Sequence, residues 1–114
     1  MKKVVYGNAL YEKKLIAEAV ERGVGKSDNV TLLDQTMVGR SYPFKMDVPG
    51  VWVNGPDQQG LYKVVMSVAV LGLINIRVVI DNMRSIIWDE LAAKNLANLV
   101  SRIDISVEDL MNAA

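Results

Sequence analysis

Apolar positions along this chain recur every three or four residues in some stretches and crowd together in others, and each change of period marks an element. A short β-branched run over 2–6 predicts a first strand, followed by Gly7-Asn8 as a tight turn and helix cap. From 9 to 22 a helix is predicted, because Tyr11, Leu15, Ile16, Ala19 and Val20 fall at helical spacing and Glu18 precedes Arg22 by four. Gly23 would close it as a C′ glycine. After a polar loop containing Gly25, Lys26, Ser27 and Asp28, residues 30–33 read as a second strand, whereas 34–48 carry no period. Val51-Trp52-Val53 reads as a short strand between Pro49-Gly50 and the turn pair Asn54-Gly55.

The second half is denser. Residues 61–71 are apolar at nearly every position, a pattern shared by buried helices and buried strands, and we read them as helix. Residues 73–80 are richer in Ile and Val and read as strand. Asp81-Asn82 would then cap a helix over 83–101, with Ile87, Trp88, Leu91, Ala92, Leu96 and Leu99 as its apolar stripe and Glu90 spaced to pair with Lys94. Ser106 and Asp109 have the spacing of a capping box and predict a last short helix over 107–112. The expected architecture is a single α/β or α+β domain over 1–114, with a strand-helix-strand opening, a small central sheet and a helical C-terminal third.

Composition narrows the chemistry. The 114 residues hold 13 basic and 13 acidic side chains, so no net field steers the chain toward nucleic acid or an anionic membrane. Cysteine and histidine are both absent, which removes thiolate nucleophiles, sulfur-ligated metals and the side chain that titrates near neutral pH. Catalysis would have to use Lys, Tyr, Ser, Thr or carboxylates, and Tyr11, Lys13 and Lys14 stand nearest the first turn. No catalytic residue, cofactor or metal site is assigned. Asp34, Asp47, Asp57, Asp81 and Asp89 form no local oxygen cage. The most apolar stretch, 64–76, is shorter than the roughly twenty residues a spanning helix needs. With no secretory signal at the start, a cytoplasmic protein without a membrane partner is expected.

Gly25-Lys26-Ser27 has the ending of a phosphate-binding loop, but Val20 stands where the first glycine belongs and the triplet follows a helix instead of opening one. A solvated loop is the reading adopted. The turn at Gly7 and Asn8 offers backbone N–H groups at a helix start, which favours a polar ligand without special side chains. Arg40, Tyr42, Phe44 and Lys45 mix cations with aromatics in one aperiodic loop, a composition suited to holding a peptide or a base. Trp88 and Leu91 lie on a helix whose apolar surface is broad for so small a domain, so they are the expected anchors of a homodimer.

Val4-Val5-Tyr6-Gly7 before a first helix, together with Val48-Pro49-Gly50-Val51-Trp52-Val53-Asn54-Gly55, resembles the glutaredoxin branch of the thioredoxin-like fold. The resemblance implies that Pro49 is a cis-proline beside a ligand groove, that Gly7 to Tyr11 replace the redox loop, and that Gly60-Leu61-Tyr62 open a helix. No cysteine stands in or near that loop, so the resemblance implies a redox-inactive domain. About forty C-terminal residues fall outside it. The function expected is a non-catalytic binding or assembly module whose partner is a protein or a second copy of itself. The alternatives are a small enzyme or enzyme subunit using Lys, Tyr or carboxylates, and a nucleic-acid or peptide binder working through residues 39–45.

Overall fold

In the computed structural model the backbone is described over residues 6–33, 48–72 and 75–111, with side chains over 10–33, 48–72 and 75–108. Of the first strand predicted over 2–6 only Tyr6 is described, and it is helical: the described residues begin with helix α1, Tyr6–Gly25. Its stripe of Ile16, Ala19, Val20 and Val24 is buried, as the helical spacing requires. Gly7 and Asn8 lie inside its first turn, not in a turn ahead of it. Once a helix is nucleated each added residue gains a hydrogen bond, and this outweighs the cost of about 1 kcal/mol for an interior glycine. Gly23 is likewise interior, and the helix stops two residues later. There Ser27 Oγ donates to the Gly23 carbonyl at 2.8 Å, and Asn29 turns the chain with φ of 65°.

Strand β1, Val30–Leu32, and strand β2, Val51–Asn54, form where the sequence predicts them. Both run antiparallel to β3, Tyr62–Leu71, at successive positions along it: Val30 faces Val70, Leu32 faces Val68, Val51 faces Met66 and Asn54 faces Lys63. The two meet at Ser67, whose carbonyl accepts the Leu33 amide at 2.9 Å and whose amide donates to the Gly50 carbonyl at 3.0 Å. In effect β1 and β2 continue one another along the same edge of β3. Between β2 and β3 the hairpin turn is held by Asp57, whose Oδ1 accepts the Gln59 amide at 2.8 Å and the Leu61 amide at 2.9 Å. The cis peptide bond among the described residues is Gly55–Pro56, not the bond before Pro49.

Residues 61–71, read as helix, form the central strand instead, and Tyr62 opens a strand where the thioredoxin-like resemblance implies a helix. A strand with neighbours on both edges and mostly buried faces carries too few polar positions, here Lys63 and Ser67, to show a period of two. Residues 73–80, read as strand, contribute Ile76 to Ile80 to the start of helix α2, Ile76–Ala93. Its cap is Asn75, whose Oδ1 accepts the Val78 amide at 3.3 Å, so Asp81 and Asn82 fall inside the helix. Val79, Met83, Ile87 and Leu91 make its buried stripe. That spacing overrides the weak helix propensity of the β-branched first turn. Asn95, with φ of 60°, ends the helix, and a 3-10 turn at Ala97–Leu99 leads into β4, Val100–Met111.

β4 lies parallel to β3 along its whole length, from Tyr62 opposite Val100 to Leu71 opposite Met111, with register shifts between Tyr62 and Lys63 and between Val68 and Ala69. The C-terminal third, expected to be helical, thus ends in a strand of 12 residues. Ser106 caps nothing; its hydroxyl donates to Glu108 two residues along the same strand. Packing explains the choice, since Ile103 and Ile105 stand in register with Val64 and Met66 and join the same core. Register places Val30, Val51, Val53, Tyr62, Val64, Met66, Val68, Val70 and Ile103 on one sheet face, and α1 and α2 cover it. Among the described residues the result is α+β: one layer of helices on one face of a small mixed sheet.

Candidate functional site

The two helices are locked together at one end by charge. Glu90 accepts from Arg22 Nε at 3.3 Å and from Lys26 Nζ. The Lys26 hydrogen bond, opposed by desolvation and aided by Arg22, holds the Glu90 carboxyl below its usual range. Glu90 therefore pairs across the helices, not with Lys94. Lys26 and Ser27 also border a cleft of about 440 Å³ between the α1–β1 turn and α2, completed by Asn29, Val78, Asn82 and Ser85. With Lys26 bound to Glu90 and Ser27 bound to the α1 terminus, the phosphate-loop look-alike does structural work.

A second depression lies on the other side of α2, where the helix flanks β4. It is an open groove of about 640 Å³ lined by Arg84, Trp88, Arg102, Ile103, Asp104 and Ile105. Arg84 reaches across it and gives Nη1 to the Ile103 carbonyl at 2.6 Å. On the sheet face away from the helices, Arg102 holds Asp104 at 2.8 Å and Lys63 holds it at 3.3 Å. Desolvation pushes the Asp104 carboxyl up, but the hydrogen bonds from Arg102 and Lys63 outweigh it and leave the group below its usual range. Among the described residues β4 pairs only with β3, so it is an edge strand of 12 residues. Most strands are about half that long, and a long edge presents a row of backbone donors and acceptors.

The residues singled out by sequence are scattered. Gly7 and Asn8 belong to the first turn of α1, and Tyr11 is 62% exposed beside Leu10 on its outer side. Lys13 and Lys14 follow on the same helix, and Pro49 is an exposed residue just before β2. Arg40, Tyr42, Phe44 and Lys45 lie outside the described residues. Leu91 is fully buried in the chain's own core, so it has no surface left for a partner. Its neighbour Trp88 is half-buried and lines the groove at β4. The sequence reading does not single out Arg84, Arg102, Asp104 or Ile105, although Ile103, Ile105 and Val107 alternate with polar residues.

Among the described residues no acidic group of three or more could hold a metal, and no helix is long and apolar enough to cross a membrane. No family model matches the chain, and no curated protein or solved structure matches it either.

Proposed function

We propose that this chain is a non-catalytic binding and assembly module that works by strand addition to the outer edge of β4. The observation that carries this reading is the pairing of that 12-residue edge, used on one side only among the described residues, with an adjoining groove that offers Trp88 and two guanidinium groups. An added strand would take its affinity from main-chain hydrogen bonds and its selectivity from alternate side chains. On the helix side those side chains would meet Arg84, Trp88 and Ile105, which suits an acidic or aromatic residue against the cations. Arg84 blunts the edge in the meantime, since its bond to the Ile103 carbonyl covers one acceptor until a strand replaces it.

Amide-resolved hydrogen exchange on dilute protein tests this, with two synthetic ten-residue peptides as probes, one alternating Val with Glu and one alternating Val with Lys. The Val-Glu peptide should slow exchange along β4, and Arg84→Ala with Arg102→Ala should abolish its advantage over the Val-Lys peptide. Protection confined to other elements, or none at millimolar peptide, would overturn the reading.

A further inference from the structure

We infer that the strand added to β4 is the β4 of a second copy, running antiparallel about a two-fold axis at Ile105; this rests on the strand-addition reading above. The argument is the order of side chains along the edge. Its first half is basic, with Arg102 on the strand, Lys63 beside it and Arg84 reaching over it, against Asp104 alone. The later half carries Ser106 and Glu108. A strand that is basic at its start and acidic toward its end is complementary to itself only when turned end for end.

Few registers satisfy that rule. Centred on Ile105, antiparallel pairing sets Arg102 opposite Glu108 of the other copy twice, Asp104 opposite Ser106 twice, Ile103 opposite Val107 and Ile105 opposite itself. Charges meet opposite charges and apolar residues meet apolar ones. Centring on Asp104 brings two carboxylates together, and centring on Ser106 sets Asp104 against Glu108. Centring on Ile103 also matches Arg102 with Asp104, but it runs into the 3-10 turn at Ala97–Leu99 and shortens the paired span. There Val107, 37% exposed on the core side of the strand, would fall opposite Leu99, which belongs to the 3-10 turn and not to the strand. An unrelated peptide ligand would not require this internal symmetry, whereas a second copy does.

Sedimentation equilibrium at tens of micromolar should give a particle of two chains. Arg102→Glu and Glu108→Arg should each weaken the dimer by about tenfold, because each places two like-charged pairs across the axis. The double variant Arg102→Glu/Glu108→Arg should recover wild-type association, and far-UV circular dichroism on each variant confirms that it folds. The chain has no cysteine, so an Asp104→Cys copy mixed with a Ser106→Cys copy should form an intermolecular disulfide faster than either alone. A dimer that ignores the charge reversals, or one that cross-links without preference for the mixed pair, overturns the register. A strict monomer overturns self-pairing: strand addition then survives if the Val-Glu peptide still protects β4, and falls with it if no peptide does.

Discussion

The phenol of Tyr62 is fully buried at the start of β3 and donates to Glu12 Oε1 at 2.6 Å, tying α1 to the central strand. Burial, reinforced by the hydrogen bond and the charge of Glu12, pushes its pKa well above the ordinary tyrosine value. Native protein therefore keeps the phenolic proton at pH values where the unfolded chain has lost it. Fewer bound protons in the unfolded state make stability fall as pH rises, so the contribution is whole below about pH 10 and is lost above it. Tyr62→Phe should cost about 1 kcal/mol at neutral pH, the net value of one such bond at a half-exposed carboxylate. The variant should also lose part of the wild-type decline above pH 10, so the two urea-unfolding curves should converge there. Parallel curves from pH 7 to 11 would show that the phenol ionises in place. None of this was legible in the sequence, where Tyr62 is one of four tyrosines and its partner lies fifty positions away.

Helix α1 crosses α2 at Gly23, where an added Cβ would stand 2.8 Å from Ile87 Cγ1 and 2.9 Å from Ile87 Cα. The sequence suggested that this glycine ends the helix, and within a helix alanine is favoured by about 1 kcal/mol. Contact with backbone cannot be relieved by a rotamer change, so overpacking should win. Gly23→Ala should destabilise the fold by about 1–3 kcal/mol in urea unfolding, and any gain in stability would mean that the helices can separate without loss. Elements with local signals were legible in this way: α1, β1 and β2 each carry their own period or turn residues. Those chosen by packing were not. The helix over 76–93 begins seven residues before the expected start because Asn75 and Val79 outweigh a β-branched run. In β4 the Ser106–Asp109 spacing imitates a helix cap, while the true signal is the alternation from Arg102 to Glu108. Missing that strand hid the candidate site, because the edge and its groove exist only once β4 lies beside β3.

At the scale of the whole molecule the least legible feature is that β1 and β2, separated in sequence by residues 33–50, follow one another along the same edge of β3, since only the pairing of both with β3 reveals it. Leu33 and Gly50 bind the same residue, Ser67, and a Cβ on Gly50 would stand 2.6 Å from the Leu33 carbonyl oxygen. Gly50 also has φ of 83°, which other residues adopt only with strain. Both ends are thus held by the sheet at Ser67. Doubling the length of chain between two fixed ends adds only about 0.6 kcal/mol of closure entropy. Inserting fourteen Gly and Ser residues between Gly39 and Arg40 should therefore lower stability by about that amount and leave the far-UV spectrum of the sheet and helices unchanged. Gly50→Ala, one methyl group at the junction, should cost more, about 1–3 kcal/mol, because it meets backbone and a positive φ together. Denaturant unfolding of the two variants side by side decides the matter. If the insertion proves the more damaging change, residues 34–47 hold the strand halves together, and the junction at Ser67 follows from them instead of standing alone.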